Sequence, residues 1–446
     1  MADHQHKGSS TSGIRLVTRA LRHRNYRLFF AGQSVSVIGT WVQQVALGWL
    51  VYRVTGSALS LGVVGFASQI PALVMSPFAG VLVDRWNRHR ILIGTQSLAM
   101  LQAFCLAALT LSGTVVFWHI IVLAVLIGLV NAVDMPARQS FVVEMVTDRE
   151  DLPNAIALHS SLFNSARLIG PSLAGVVIAR MGEGLCFLVN GASYLAVIAA
   201  LLAMRVAPRV TAARDGHVLA GLKEGFHYAF GSPAIRAVIA LLALISFVGM
   251  PYSTLMPVFA REVLHGDART FGLLVSASGV GALAGAIRLA SRRSVLGLGR
   301  NIAVGACIFG GGLMLLALAP SLWVALPLLV ISGYGMMTQM ASSNTVIQTI
   351  VDEDKRGRVM SFYMLAFVGT APFGSLLAGS AAEALGVPAT FLAGGFCCIL
   401  GGILFARRLP ALQAMVRPIY ERLGILPSPV TGVEAATTLT TPPEGE

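Results

Sequence analysis

Residues 134–175, DMPARQSFVVEMVTDREDLPNAIALHSSLFNSARLIGPSLAG, decide the fold of this chain. Two apolar segments flank the charged turn TDRED, and this pattern predicts a helical hairpin. The first segment contains Asp134 and Arg138, and the second contains Asn164 and Arg167. A lone charge at the centre of a bilayer costs at least about 2.5–3.5 kcal/mol. These charges therefore require partners or a water-filled cavity.

The whole chain has the composition of a polytopic membrane protein. Of its 446 residues, 55% are hydrophobic and only 12% are charged, whereas about a quarter of the residues of a soluble protein are charged. Apolar runs of about twenty residues recur along the sequence, and each is long enough to cross a bilayer. The net charge of +12 comes from basic residues at the ends of these runs. It therefore predicts insertion into a lipid bilayer and no binding of nucleic acid.

Twelve transmembrane helices are predicted, which makes the chain an all-α membrane protein. Their approximate ranges are 26–52, 59–83, 91–112, 117–146, 153–180, 185–204, 235–260, 270–290, 300–319, 322–350, 358–384 and 389–406. We expect a cytoplasmic N-terminal segment, a six-helix bundle, a cytoplasmic central loop with an amphipathic helix, a second six-helix bundle and a cytoplasmic, partly disordered tail. These parts correspond to residues 1–24, 25–204, 205–233, 234–408 and 409–446.

The distribution of basic residues predicts the orientation of the chain. One set of loops is rich in them, and it is represented by Arg22, Arg85, Arg214, Arg292 and Arg356. The opposite loops contain only Arg53, Arg180, Arg261 and Arg269. The positive-inside rule places the first set, together with both termini, in the cytoplasm. We therefore expect a multi-pass protein of the bacterial inner membrane.

The two halves of the chain repeat at a spacing of 204 residues, the difference between positions 345 and 141. With that shift, residues 141–191 align with residues 345–395 without a gap. The glycine matches are the most informative, and they include Gly170/Gly374, Gly175/Gly379 and Gly182/Gly386. A parallel repeat of six helices plus six is the arrangement of a large class of transporters.

The segment GVLVDRWNRHRIL, which begins at Gly80, resembles the loop signature of the major facilitator superfamily. Gly80, Asp84, Arg85 and Arg88 occupy signature positions, whereas Asn87 replaces the usual second glycine. Asn tolerates left-handed backbone angles better than most residues, so the turn can still form. The resemblance implies that Asp84 meets the start of helix eleven and gates the cytoplasmic side. The alternative is that the arginines only set the topology.

Residues 131–175, together with GTWVQQVALGWLVYRVTGS at 39–57, resemble the subgroup that includes the enterobactin exporter and many bacterial drug-efflux proteins. This resemblance implies an exporter of amphipathic molecules that alternates between two states and is usually driven by proton entry. Gly170, Pro171 and Gly175 are similar to the helix-five antiporter motif of drug exporters. We expect Pro171 to bend its helix, because it lacks a backbone donor, and the glycines to allow close approach of a neighbouring helix.

Asp134, Arg138 and Arg167 are candidates for proton coupling or for a structural ion pair. Asp134 and Arg138 are four residues apart, on one helical face, and Arg167 lies within about 3 Å of the depth of Asp134 in the facing helix. We expect Asp134 to pair with Arg138, Arg167 or both. Either Asp134 takes up a proton and the pair weakens, or the pair permanently links helices four and five. The equivalent positions in the second half are Thr338, Ser342 and Ala371.

A central substrate cavity is predicted from polar side chains that recur at helical spacing. Such faces either line a cavity or form hydrogen bonds to a neighbouring helix, and both interpretations stay open for each residue. The candidates, which include one aromatic residue of the second half, are Gln33, Ser36, Thr40, Gln44, Asn164, Tyr252 and Gln339.

The sequence therefore predicts an export transporter whose partners are a small-molecule substrate, protons and lipid. The motifs HExxH and GxSxG and the Walker lysine motif do not occur in the sequence, so we expect no enzyme activity, no metal and no cofactor. Two alternatives stay open, namely uptake of a small solute and a membrane scaffold or sensor that moves nothing. We expect the chain to act as a monomer.

Overall fold

A computed structural model describes residues 18–206, 226–292 and 294–426. Within these ranges the chain contains twelve helices that are long and apolar enough to cross a membrane, and it contains no strand. The predicted fold class is therefore confirmed. The helices, named in chain order, are α1 (Arg24–Thr55), α2 (Ala58–Arg85), α3 (Arg88–Leu111), α4 (Phe117–Met145), α5 (Leu152–Met181), α6 (Glu183–Leu202), α7 (Pro233–Val263), α8 (Ala268–Ala290), α9 (Leu298–Ala317), α10 (Leu322–Ile350), α11 (Glu353–Leu385) and α12 (Val387–Arg422).

Two of these helices, α7 and α11, are interrupted within the membrane-spanning region. α7 widens into π-helical turns at Ile245–Gly249 and Phe259–Val263, on either side of Pro251. Such widening is expected near a proline, which cannot donate its backbone hydrogen bond. α11 consists of the α-helical segments Glu353–Val368 and Ala371–Leu385. Both interruptions border the cavity between the two halves that is described below.

The last helix is longer than the sequence predicts. We expected it to end near residue 406 and the tail to begin at 409, but α12 continues through Pro410 to Arg422. Leu412 and Val416, four residues apart, bury one face of this extension, so packing overrides the local effect of proline. The end of the predicted tail, residues 427–446, lies outside the described residues, as does most of the predicted amphipathic helix of the central loop.

The internal repeat has clear counterparts in backbone geometry. Gly182 ends α5 with φ of 79°, and Gly386 ends α11 with φ of 84°. A residue with a side chain is strained at such angles, whereas glycine adopts them readily. Each glycine begins the tight connection to the next helix, α6 or α12. The aligned glycines therefore mark the same turn in both halves.

The two halves pack against each other through glycines at one end of the bundle, where α2 and α8 begin. A Cβ added to Gly175 of α5 would lie 3.3 Å from the Cα of Gly272 in α8, and one added to Gly379 of α11 would lie 2.9 Å from the Cα of Gly62 in α2. Such backbone contact replaces side-chain packing between the helices. We call this end the closed end, and the opposite end, which contains Gly80 and Arg88, the motif end.

Polar contacts add to this packing at the closed end. The carboxylate of Glu383 in α11 accepts hydrogen bonds from the Ser57 hydroxyl at 3.0 Å, the Ala58 amide at 2.8 Å and the Leu59 amide at 3.2 Å. These donors lie at the start of α2, where the helix dipole favours a negative charge. The C-terminal half thus caps a helix of the N-terminal half.

We predict that Gly62→Ala destabilises the protein, whereas Gly94→Ala does not. A Cβ at Gly62 would lie 2.6 Å from the Ser375 carbonyl oxygen, whereas a Cβ at Gly94 meets no atom within 4 Å. Both substitutions raise helix propensity equally, so the difference isolates the clash. Overpacking of this kind costs about 1–3 kcal/mol.

The measurement is thermal unfolding of the purified variants, followed by tryptophan fluorescence. Equal melting temperatures for the two variants would contradict the backbone contact between α2 and α11.

Candidate functional site

Two neighbouring cavities lie within the bundle, and the side chain of Trp41 lines both. The first, which we call the N-half cavity, has a volume of about 470 Å³ and is lined by residues of α1, α3, α4, α5 and α6. Six of the ten cavity and ion-pair candidates from the sequence line this cavity. They are Gln33, Ser36, Thr40, Asp134, Arg138 and Asn164.

Asp134 is buried in the wall of the N-half cavity and has three polar partners. Its side chain accepts hydrogen bonds from the Thr95 hydroxyl at 2.7 Å and from the Gln96 amide at 2.8 Å. The guanidinium of Arg138 forms an ion pair with the other carboxylate oxygen and also donates to Gln33 at 3.1 Å. This network offsets much of the cost of placing a charge in an apolar environment.

The second cavity, the central cavity, lies between the two halves and has a volume of about 450 Å³. Its walls come from α1, α2 and α5 on one side and from α7, α8 and α11 on the other. Gln44 and Tyr252, two of the cavity candidates from the sequence, line it together with Arg167. The Tyr252 hydroxyl lies in hydrogen-bonding contact with Ser278. A cavity at this position can hold a small molecule between the halves.

The structure separates Arg167 from the ion pair with which the sequence grouped it. Of the alternatives predicted for Asp134, the structure shows the pair with Arg138, whereas Arg167 faces the central cavity. Its guanidinium carbon lies 6.0 Å from the centroid of the Trp41 ring, a distance at which a cation and an aromatic face attract. Similar depth in two helices did not imply the same helical face.

Gln339 was also predicted to line the substrate cavity, and the structure places it elsewhere. It is 1% exposed and donates a hydrogen bond to Ser343, one turn later in α10. A Cβ added to Gly305 of α9 would lie 3.0 Å from the Cβ of Gln339. The residue therefore packs between α9 and α10, because the small glycine leaves room for it there.

Sequence analysis missed Trp41, although this side chain touches both cavities. It also missed the role of Gln43, whose amide donates to Gln102 of α3 at 3.1 Å and accepts from Asn190 of α6 at 2.8 Å. Gln43 is adjacent to Gln44 in sequence, but it points into the packing of its own half. A helical wheel for α1 shows a polar face, and only the neighbouring helices decide which polar residue borders a cavity.

The gating signature lies at the motif end, where α2 is followed by α3. Arg88 forms an ion pair with Glu144 of α4, and Arg85 is exposed. The side chain of Asn87 caps α3 by accepting a hydrogen bond from the Arg90 amide at 3.2 Å. Asn87 therefore starts the helix at the position where the family signature has glycine. A Cβ added to Gly80 would meet no atom within 4 Å. The Asp84 side chain lies outside the described part of the chain.

The helix-five motif packs on both of its faces. A Cβ added to Gly170 would lie 2.5 Å from the Trp41 Cβ, so this glycine allows α1 to approach α5. Gly175 faces α8, and the Pro171 carbonyl oxygen would lie 2.5 Å from a Cβ added to Gly272. α5 stays helical through Pro171, because neighbouring helices hold the surrounding backbone.

A cluster of charged residues joins the N-terminal segment to the turn between α4 and α5. Within the described residues, His23, Asp148 and Asp151 form one group with metal-ligating side chains. Arg22 forms ion pairs with both carboxylates, and Arg19 forms another with Asp151. Because guanidinium groups already neutralise the carboxylates, the arrangement is that of an ion-pair network and does not favour a metal site.

Comparison with known proteins identifies the family. The family model for transmembrane secretion effectors matches residues 18–422 of the chain. The chain belongs to this family. This transmembrane secretion effector is a multi-pass membrane transporter of the major facilitator type, and it is not an enzyme.

Characterised relatives of this transmembrane secretion effector match nearly their entire length. The staphyloferrin A transporter of Staphylococcus aureus is 28% identical, over 85% of this chain and 95% of the relative. The multidrug efflux pump Tap of Mycolicibacterium fortuitum is 29% identical, over 85% of this chain and 95% of the relative. Macrolide efflux protein A of Streptococcus pyogenes is 23% identical, over 84% of this chain and 94% of the relative.

Solved structures share the fold at lower identity. A bacterial homologue of the human lysosomal transporter Spinster, in an inward-facing and unoccupied conformation, superposes with a TM-score of 0.64 and 17% identity, over 91% of this chain and 99% of that chain. A bacterial homologue of the iron transporter ferroportin, in an inward-facing state, superposes with a TM-score of 0.65 and 16% identity. The match covers 86% of this chain and 98% of that chain. The transmembrane secretion effector therefore has the transporter fold of these proteins.

We predict that Asp134→Asn strongly destabilises the protein, whereas Asp148→Asn does not. The first substitution leaves Arg138 without its carboxylate, and removal of one partner of a buried ion pair costs roughly 3–5 kcal/mol. The second breaks a pair with Arg22 in which both side chains are more than half exposed, and such pairs contribute less than about 1 kcal/mol.

Thermal unfolding of both variants measures the difference. The double variant Asp134→Asn/Arg138→Gln should recover part of the loss, because it also removes the uncompensated cation. An unfolding temperature of Asp134→Asn equal to that of Asp148→Asn would show that the pair does not stabilise the bundle.

Proposed function

We propose that this transmembrane secretion effector exports amphipathic small molecules, of the drug or siderophore class, by alternating access. The observation that carries the proposal is the central cavity between the two six-helix halves. Its volume lies within the range of about 300–1,000 Å³ that is typical of small-molecule sites. The names of the relatives, a siderophore transporter and two efflux proteins, support the same substrate classes.

We further propose that the motif end faces the cytoplasm of a bacterial cell and that the protein lies in the inner membrane. The bias of arginine and lysine toward the loops at that end supports this orientation. Both termini are then cytoplasmic, and the two bundles, residues 25–204 and 234–408, move as the two halves of a monomer. In this orientation the closed end faces away from the cytoplasm.

Proton entry is the proposed source of energy, and Asp134 is its proposed acceptor. This carboxylate lies in the wall of the N-half cavity and is held by Arg138. Uptake of a proton by Asp134 neutralises one partner and weakens the ion pair, and Arg138 keeps its hydrogen bond to Gln33. In the competing interpretation the pair is permanent and only links helices, so transport would not depend on its protonation.

Asp84 is proposed to act when the motif end closes. By family resemblance, its carboxylate would then meet the start of α11 near Glu353, where the helix dipole stabilises a negative charge. Glu383 makes the comparable contact with the start of α2 at the closed end in the described conformation. Two carboxylates at opposite ends would thus stabilise the two states in turn.

We expect a pH gradient to drive substrate movement in vesicles that contain the purified protein. A panel of amphipathic drugs and siderophores is supplied outside everted vesicles, and uptake into the vesicles is followed after acidification of their lumen. Asp134→Asn should abolish the response to the gradient, measured per folded molecule. Unchanged transport by this variant would establish the static ion pair, and absence of gradient-driven movement for the whole panel would overturn the coupling.

We also expect crosslinking of the closed end to stop transport. The Ser57 hydroxyl lies 3.0 Å from the Glu383 carboxylate, so Ser57→Cys/Glu383→Cys should be joined by a short bifunctional thiol reagent in a background without the five native cysteines. Transport should disappear on crosslinking and return on reduction, because alternating access requires this end to open. Ser57→Cys alone is the control, and unchanged transport by the crosslinked protein would overturn alternating access through this end.

A further inference from the structure

Arg167 is the only formally charged side chain among the described residues that line the central cavity. The other lining residues are apolar or carry hydroxyl or amide groups, as do Gln44, Ser68 and Thr254. The repeat equivalent of Arg167, Ala371, lines the opposite wall and supplies no charge. The cavity between the halves therefore has one positive charge, contributed by the N-terminal half.

This positive charge has no carboxylate partner within the described part of the chain. The contact of the Arg167 guanidinium is with the Trp41 ring, at 6.0 Å from the centroid. Arg138 differs, because it is neutralised by Asp134 in the adjacent cavity. A guanidinium within the membrane needs a counter-charge, and its planar set of donors matches the oxygens of a carboxylate or phosphate. An anionic ligand would supply the missing partner.

The remaining walls of the central cavity suit an apolar group attached to that anion. Trp41 lies beside Arg167, and Phe271 of α8, Met250 and Pro257 of α7 lie farther around the wall. Phe271 is itself stacked on Trp49, with ring centroids 6.2 Å apart. Aromatic faces and methionine bind varied apolar shapes. A cationic amphiphile of the same shape would place its charge in the same cavity as Arg167, with no acidic side chain in the described lining to offset the repulsion.

We infer that the central cavity selects amphipathic anions, with Arg167 binding a carboxylate or similar oxyanion and the aromatic walls binding the apolar body. The inference rests on the proposed function only for the statement that the ligand of this cavity is the transported substrate. Trp41 is a positioning residue, because it holds the guanidinium at the wall.

Three fluorescent probes with the same apolar group test the inference. They are dansylglycine, which is an anion at pH 7.5, its neutral amide dansylglycinamide, and the cation dansylcadaverine. Binding to the full-length protein is measured in nanodiscs of phosphatidylcholine, with empty nanodiscs as the blank. A charge-assisted hydrogen bond in a cavity of this kind should make dansylglycine bind at least about tenfold more tightly than its amide.

Arg167→Gln should remove this preference, and Arg167→Lys should keep part of it, because lysine retains the charge without the planar donors. Arg180→Gln is the matched control. It removes the same charge from an exposed position of the same helix, outside the cavity lining, and it should bind all three probes as the unmodified protein does. Size-exclusion profiles and unfolding temperatures establish that each variant is folded.

Several results would overturn the inference. The unmodified protein could bind the amide or the cation as tightly as the anion, or Arg167→Gln could keep the anion preference while folded. Competition by phosphatidylglycerol in the nanodisc would assign the site to a lipid headgroup and not to a substrate. If Arg167→Gln does not fold, the relative affinities of the three probes for the unmodified protein and for Arg167→Lys still test whether the cavity selects anions.

Transport of the same probes separates this inference from the proposed function. Gradient-driven export of dansylcadaverine as fast as dansylglycine would leave export intact and overturn the selection of anions. Selective binding of dansylglycine without movement of any probe would support the anion site and contradict export.

Discussion

The cost of placing charge in an apolar membrane interior governs the arrangement of this protein. A charge at the centre of the bilayer is tolerated only with a partner or beside a polar cavity, and the buried charges of the N-terminal half satisfy this requirement in two ways. Asp134 and Arg138 neutralise each other and are surrounded by Thr95, Gln96 and Gln33. Arg167 instead borders the space between the halves, against Trp41. The first solution makes a stable network, and the second leaves a charge available to a ligand.

The two halves share a backbone but not a charge pattern. Gly175 and Gly379 each contact a glycine of the opposite half, and Gly182 and Gly386 end equivalent helices with the same backbone geometry. The charged positions were not repeated. Thr338 and Ser342 replace Asp134 and Arg138, and their hydroxyl oxygens are buried without a hydrogen-bond partner among the described residues. Symmetric packing therefore supports an asymmetric pair of cavities, in which the formally charged residues of the described lining all come from the N-terminal half.

Closure at one end is itself built from small residues and one carboxylate. Gly62 and Gly379 bring α2 and α11 into backbone contact, and Glu383 of α11 caps the first turn of α2. Interfaces made of backbone contacts and hydrogen bonds bury little side-chain surface, so they can separate without exposing a large apolar core. The alternating access proposed above would require this property at each end of the bundle. The packing of the closed end and the central cavity beside it are thus both consistent with the proposed function.

The sequence by itself determined the membrane class, the twelve helices and the repeat. The length of an apolar segment decides whether it can span the bilayer, and both this length and the glycine spacing are visible in the sequence. It also located Asp134 and Arg138, since residues four apart in a helix must share a face. Only the tertiary structure decided that Arg167 belongs to a different cavity, that Gln339 packs against α9, that Trp41 lines both cavities and that α12 continues to Arg422. Each of these depends on how a helix is rotated toward its neighbours, and that rotation is set by packing between residues far apart in sequence.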